Sequence, residues 1–333
     1  MGAHLVRNKM RVLAPNTMGM AGWELLKARE DIEATTFPNP ISTGDFRAIL
    51  ESYSEVNGVI LGLTRFGADE CVRSRGLKVV ARIGVGYDTV DVPALSSQHI
   101  PLMLVGTANS TSVAEQAVFF ITALAKRGAE LQEMVHTGRW DERFKVLPIE
   151  LAGKTVLIVG FGRIGTRTAK RCQSMEMTVL VYDPYIGSDL IAAAGYQPVA
   201  DLDAALPRAD FVTIHCPKTA ETTGFIGAAR LGRLKPTAYM VNTARGGIID
   251  EAALEVALKS GQLAGAALDV FDTEPAPLDH PLLKLSNVLT SPHMAGVTHE
   301  SMDRMAAQAV RNVLSVLDGR PIRENVVNQD VLG

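Results

Sequence analysis

The sequence predicts an α/β protein built on two doubly wound parallel sheets, and three observations predict it. Short, β-branched apolar runs recur along the whole chain with helix-compatible stretches between them, the alternation that yields parallel sheets covered on both faces. A glycine-rich turn, GFGRIG at 160–165, follows one of these runs in mid-chain and opens a helical pattern. The 333 residues are long for one hydrophobic core and fit about two domains.

Composition narrows the class. Hydrophobic residues make up 47% and charged residues 21%, ordinary for a globular chain. A net charge of −3 gives no reason to expect nucleic acid or an anionic membrane as partner. Cys71, Cys172 and Cys216 are widely spaced and form no CxxC, so neither a disulfide framework nor a metal site is expected. The N-terminus lacks the basic-then-apolar pattern of a signal peptide, and no apolar run reaches membrane-spanning length. The cytoplasm is therefore the expected location.

In the first part of the chain the apolar runs are Met10–Ala14, Gly58–Leu63, Leu77–Ile83 and Pro101–Val105. Trp23–Glu30 and Phe46–Ser52 are helix-compatible, and residues 1 to about 106 read as a domain of their own without a GxGxxG. The run ending near Ile83 passes into the turn Arg82-Ile-Gly84-Val85-Gly86-Tyr-Asp88. At the carboxyl end of a parallel strand such a turn offers backbone N–H groups to an anion, and it is equally well a plain tight turn.

Asn109 to Glu115 opens a long helix, with Ser112 and Glu115 at capping-box spacing before the apolar run Val118–Leu124. Its apolar content on most sides predicts burial between domains or subunits. His136–Pro148 is polar and broken by glycine and proline, so it reads as an excursion. Trp140 within it is either a subunit contact or a half-buried loop residue.

From Thr155 a second series begins, with strands over Thr155–Val159, Thr178–Tyr182, Phe211–His215, Ala238–Asn242, Ala264–Asp269 and Asn287–Thr290. Six such strands make a complete dinucleotide-binding sheet. In TVLIVGFGRIG, Gly160 permits the tight turn, Gly162 lets the backbone approach a pyrophosphate, and Gly165 lets the helix pack on the strand. The helix N-terminus presents free N–H groups and a positive dipole end to phosphates.

A GxGxxG alone is a weak signal. Here the helical stretch Thr166–Met175 and a second strand ending in Asp183 follow it, with the acid where a ribose 2′-hydroxyl is bound. Asp183 would also repel a 2′-phosphate, which favours NAD over NADP, while Arg163 would soften that preference. Further on, Asp250 caps and Gly261 ends a helix over Glu251–Ser260, and an amphipathic helix, Thr298–Leu317, leads into an irregular tail.

Ligands of such sheets sit outside the carboxyl ends of the strands. Those ends carry Gly160–Gly165, Asp183, His215-Cys216-Pro217, Asn242-Thr243-Ala244-Arg245, Asp269, Glu274 and His293. Arg245, followed by two glycines that expose the backbone, is either placed to grip a carboxylate and a carbonyl oxygen with its fork or is a surface arginine. His293 in SPHMAG suits proton transfer near neutral pH, and Glu274 in LDVFDTEP would hydrogen-bond its imidazole; the sequence does not show that the two meet. His215 ends its own strand and competes for the acid–base role, with no acid at a later strand end to partner it. His4, His99, His136, His280 and His299 lie away from these ends and are assigned no role.

GFGRIG, NTARGGIID, ALDVFDTEP and SPHMAG, in this order and spacing, resemble the D-isomer-specific 2-hydroxyacid dehydrogenase family, which includes phosphoglycerate dehydrogenase. The resemblance covers nearly the whole chain. It implies a Rossmann NAD-binding domain, residues 107–299, inserted into a flavodoxin-like substrate domain, residues 1–106 plus 300–333, with the active site in the cleft.

On the same resemblance His293 is the general acid–base, Glu274 its partner and Arg245 the substrate anchor. Asp269 meets the nicotinamide amide, while Arg163, Ile164, Asp183, His215, Cys216, Thr243 and Ala244 line the cofactor. The turn of Arg82, Gly84, Val85 and Gly86 grips the substrate carboxylate. The implied reaction is reversible hydride transfer between NADH and a small 2-oxo acid, in a homodimer joined through the helix after Asn109 and the Trp140 region.

One departure bears on the substrate. Phosphoglycerate dehydrogenases carry an arginine just after the strand corresponding to Gly58–Leu63, whereas this chain reads LGLTRFG, with a neutral residue there and Arg65 offset. The chain also ends at Gly333 without the regulatory domain of many of those enzymes. An unphosphorylated acid such as glyoxylate or hydroxypyruvate therefore competes with 3-phosphohydroxypyruvate, with Arg65 still available for a phosphate. Relatives that act as NAD-sensing corepressors supply a third reading.

Overall fold

A computed structural model describes residues 9–333, and His4 lies outside them. The chain forms two compact units, one made by the sequence up to Asn109 together with Val297–Gly333, the other by Ser110–Gly296.

The first unit holds a parallel sheet of five strands: β1 (Met10–Pro15), β2 (Ile32–Phe37), β3 (Gly58–Leu61), β4 (Val79–Arg82) and β5 (Leu102–Met103), in the order β2-β1-β3-β4-β5. That order is the flavodoxin-like one. Four strands lie in the predicted apolar runs. The fifth, β2, went unpredicted because only its ends, Ile32 and Phe37, are buried; as an edge strand it needs no continuous apolar run.

Side chains alternate to two cores. Leu13, Val59, Leu61, Val80 and Leu102 pack with Phe37, Phe46 and Phe66 on one face. On the other, Val12, Ile60, Val79 and Ala81 meet Met305, Ala306, Ala309, Val310 and Val313 of the helix His299–Leu317. Thr298 caps that helix by accepting the Ser301 N–H. The tail beyond it returns to the sheet: Val326 bridges Met103, and the Asn328 side chain accepts the Leu102 N–H at 2.8 Å and donates to the Ile100 carbonyl at 3.0 Å.

The second unit holds seven parallel strands: β6 (Thr155–Val159), β7 (Thr178–Tyr182), β8 (Gln197–Pro198), β9 (Phe211–Ile214), β10 (Tyr239–Asn242), β11 (Gly265–Leu268) and β12 (Val288–Thr290). Their order is β12-β11-β10-β9-β6-β7-β8. Chain order reverses beside β6, which has β7 on one side and β9 on the other, and that switch point is where open sheets of this kind bind ligands. Six of the strands were predicted; β8 is two exposed residues, too short and polar to show as an apolar run.

Leu157 and Val159 face one core, Val156 and Ile158 the other. The helix Ser110–Lys126 lies against the second core through Ala117, Phe120, Ile121 and Leu124, while its Phe119 stays exposed. Ser112, expected as its cap, is instead its third residue and buried, because the helix already begins at Ser110. The helix Glu251–Lys259 does follow its signals, with the Asp250 carboxylate accepting the Ala253 N–H and Gly261 at φ +73° beyond its end. Among the described residues no helix is long and apolar enough to cross a membrane, and no group of three or more His, Cys, Asp or Glu is placed to hold a metal.

Candidate active site

The glycine turn after β6 is built by contact as well as by torsion. Gly160 stands at φ +97°, and a Cβ on it would lie 2.6 Å from the Cys216 nitrogen, so this turn and the end of β9 touch backbone to backbone. A Cβ on Gly165 would lie 2.0 Å from the Gly160 oxygen, which fixes how closely the helix Gly165–Ser174 meets its strand. A Cβ on Gly162, by contrast, would meet nothing within 4 Å. The side of the turn that must admit a phosphate is open.

Asp183 at the end of β7 joins this turn. Its Oδ2 accepts the Phe161 N–H at 2.7 Å and its Oδ1 the Tyr185 N–H at 2.9 Å. A carboxylate has about four acceptor positions, so room remains for ribose hydroxyls. Beside it Tyr182, Pro184, Ile186 and Val199 line a depression of about 370 Å³. At the end of β10 the Thr243 Oγ1 is enclosed without a hydrogen-bond partner among the described residues. An open glycine turn, a carboxylate with spare acceptors, a depression beside it and an enclosed hydroxyl together fit a dinucleotide. Arg163 is exposed and Ile164 half-buried at the same turn, and neither contradicts that fit.

The two competing histidines differ in kind. His215 Nδ1 is enclosed without a partner among the described residues, while Nε2 lies 3.0 Å from the Thr213 hydroxyl. Although the residue as a whole is half-buried, burial of its ring pushes its pKa down to about 3, so it is neutral and no proton donor near neutral pH. Its neighbour Cys216 is pushed up to about 11, by burial first and then by the charge of Asp183.

His293 is open to solvent at 44% exposure and places Nδ1 2.7 Å from Glu274 Oε2. The pair that the sequence left unjoined is therefore in hydrogen-bond contact. Glu274 Oε1 accepts the Phe271 N–H at 3.0 Å. Burial works to raise the Glu274 pKa. It is outweighed by the hydrogen bonds from His293 and Phe271 and by the charges of His293 and Arg245, and the carboxyl sits below the ordinary range.

Asp269, only 1% exposed, shapes the turn that carries His293. Its carboxylate accepts the Ser291 hydroxyl and the N–H groups of Met294 and Ala295, both at 2.8 Å, and its carbonyl accepts the His293 N–H at 2.8 Å. These bonds hold His293 at φ +56°, a left-handed conformation that costs a side-chain-bearing residue about 1 kcal/mol. Sequence reasoning placed Asp269 at the nicotinamide and missed this bracing, which no local motif announces.

Arg245 lies on the turn after β10. The buried Asn242 side chain ties that turn, accepting the Ala244 N–H at 3.0 Å and donating to the Arg245 carbonyl at 2.9 Å. Gly246 then packs against the turn after β11: a Cβ there would lie 1.9 Å from the Phe271 oxygen. This contact sets the spacing between the Arg245 turn and the turn that donates to Glu274, a role of Gly246 that the sequence, which shows only two glycines after Arg245, does not announce.

In the first unit the turn after β4 has its own brace. Arg82 is buried, and its guanidinium donates to the Gly62 and Gly86 carbonyls and to the Thr89 hydroxyl. Its side chain is thus spent on the protein, while the N–H groups of Gly84, Val85 and Gly86 have no acceptor among the described residues. Gly84 stands at φ +150°.

Residues 118–295 match the model of the D-isomer specific 2-hydroxyacid dehydrogenase NAD-binding domain, a match that spans more than half of the chain. The chain belongs to the D-isomer-specific 2-hydroxyacid dehydrogenase family. Its Ser110–Gly296 unit is accordingly the NAD-binding domain, as the glycine turn and Asp183 had indicated. Two relatives frame its position in the family. A glyoxylate reductase of Thermofilum pendens is 41% identical over 77% of this chain and 76% of its own. A D-3-phosphoglycerate dehydrogenase of Archaeoglobus fulgidus is 39% identical over 81% of this chain but 51% of its own, so the chain spans about half the length of that relative. A solved structure from Thermus thermophilus superposes with a TM-score of 0.84 at 32% identity, covering 96% of this chain and all of its own.

Proposed function

We propose that this family member is an NAD-dependent 2-hydroxyacid dehydrogenase acting on a small, unphosphorylated 2-oxo acid of the glyoxylate or hydroxypyruvate kind. The observation that carries the proposal is the His293–Glu274 pair at 2.7 Å, held by the Phe271 N–H in a domain of NAD-binding type. Glu274 takes the Nδ1–H of the imidazole, which leaves Nε2 as the atom that exchanges a proton with substrate. In the reducing direction His293 delivers that proton to the carbonyl oxygen, and in the oxidising direction it accepts the hydroxyl proton. Arg245 anchors the substrate carboxylate and offsets charge developing on the carbonyl oxygen. Bound NADH supplies the hydride.

Within the cofactor site we assign Gly160, Gly162, Gly165, Arg163 and Ile164 to the pyrophosphate, Asp183 to the ribose, and His215, Cys216, Thr243, Ala244 and Asp269 to the remaining contacts. NAD is favoured over NADP by the Asp183 carboxylate. The N–H groups of Gly84, Val85 and Gly86 are assigned to the substrate carboxylate, supported by their lack of protein acceptors.

The unphosphorylated substrate is supported by the end of β3, where Gly62 has no side chain and Leu63 is 74% exposed, and by the likeness to a glyoxylate reductase. Arg65, exposed two residues on, keeps one specific argument for a phosphorylated acid. NADH oxidation with glyoxylate, hydroxypyruvate and 3-phosphohydroxypyruvate, with NADPH in parallel, tests the assignment. Turnover of the phosphorylated acid alone would reverse it and make Arg65 the residue to substitute. Silence across all three with NADH still bound would favour a nicotinamide sensor. We also assign this chain to a homodimer in the cytoplasm, with Trp140 and Phe144 on the subunit face.

A further inference from the structure

A second histidine–glutamate pair lies outside the residues assigned above. His280 Nε2 stands 3.1 Å from Glu251 Oε2, and each side chain is only 15% exposed. The Leu282 N–H donates to His280 Nδ1 at 3.3 Å, so the ring proton sits on Nε2 and points at Glu251. The other glutamate oxygen, Oε1, accepts the Asp272 N–H at 2.8 Å. The Phe271 ring meets the His280 ring edge-on, with centroids 5.5 Å apart.

These contacts clamp the irregular segment between β11 and β12 at two places, 271–272 and 280–282, onto the first turn of the helix Glu251–Lys259. Glu274 lies between the clamped points, and its own fixed contact is the N–H of Phe271, the residue beside Asp272. The chain of bonds therefore runs from His280 to Glu251, to the 271–272 backbone, to Glu274, and to His293 Nδ1. An exposed surface pair would have none of this backbone capture.

We propose that Glu251 and His280 are positioning residues that hold Glu274 in register with His293. The inference rests on the reading of His293 and Glu274 as the proton-transfer pair, but its geometry can be measured without turnover. The direct readout is the ring tautomer of neutral His293, from long-range proton–nitrogen NMR spectra of the full chain with labelled histidine. In the wild type the Glu274 hydrogen bond selects the Nδ1–H tautomer. Glu251→Gln and His280→Gln should each move His293 toward the Nε2–H form of a free imidazole. Each should also lower kcat about 10- to 100-fold, the cost of misplacing a reacting group by an ångström or less, with the Kd for NADH unchanged.

If either substitution prevents folding, the other carries the test. A folded variant with wild-type tautomer overturns the proposal, whether kcat falls or not, because the pair would then be a staple that does not reach His293. A tautomer shift in a protein whose wild type reduces no 2-oxo acid would leave the positioning role intact and sink the dehydrogenase reading instead.

Discussion

Glu274 and His215 show how neighbours set the behaviour of a single titrating group. Glu274 has its folded pKa lowered, so it binds protons less readily in the folded than in the unfolded chain. Its stabilising contribution is complete above the ordinary carboxylate value of about 4.3 and is lost as pH falls through the lower folded value. Across the working range it is a fixed carboxylate. Glu274→Gln should therefore depress kcat about 10-fold or more at every pH from about 5 to about 8, rather than moving one limb of the profile. A variant that differs from wild type on the acid side alone would count against a permanently ionised partner.

His215 acts on stability in the same direction, through burial of its ring rather than through a partner. Its ring is near 3 in the fold and 6.5 as a free side chain, so between those values the unfolded chain binds the extra proton. Folding stability must then fall as pH drops below about 6.5, by about 1.4 kcal/mol per pH unit from this residue. His215→Asn should flatten that slope in denaturant titrations run between pH 6.5 and 4. An unchanged slope would mean that the ring is not desolvated.

At the scale of elements, the site is a set of strand-end turns held apart by backbone contact. Gly246 is the tightest of these, with its missing Cβ 1.9 Å from the Phe271 oxygen. Gly246→Ala should push the turns after β10 and β11 apart and lower kcat/KM about 100-fold, leaving NADH affinity close to wild type. Stopped-flow and equilibrium titration separate the two effects, and an active Ala variant would show that the spacing is not needed.

The same scale explains what was legible in the sequence. β6, β7 and β9–β11 are apolar runs because both of their faces are buried, β12 shows through the half-buried Val288 and Leu289 although it is an edge strand, and the helices at 251–259 and 299–317 carry their own caps. β2 and β8 escaped notice because an edge strand needs little apolar surface. Residues with a local motif around them, such as Gly160, Asp183 and His293, could be named. Asp269 as a brace, Gly246 as a spacer, and Glu251 with His280 could not, because each role depends on residues about 20 or more positions away brought close only by the sheet.

For the molecule as a whole, the exposed apolar side chains around residue 140 bear on assembly. Trp140 and Phe144 are 60% and 71% exposed, with Val135 and Leu147 exposed in the same stretch of the NAD-binding unit. Aromatic side chains left this open are common anchors of subunit interfaces. Trp140→Glu combined with Phe144→Glu should convert a dimer to a monomer in sedimentation equilibrium, and a wild type that already sediments as a monomer would remove the assignment.

On the function proposed above, His293 passes a proton while NADH reduces a 2-oxo acid, and removing the imidazole tests this. Single-turnover NADH oxidation by wild type and His293→Ala would be followed with glyoxylate and hydroxypyruvate, after confirming that both proteins bind NADH equally. The expected result is turnover in the wild type and a loss of about 10²- to 10⁴-fold in the variant. Near-normal turnover without the imidazole would contradict it.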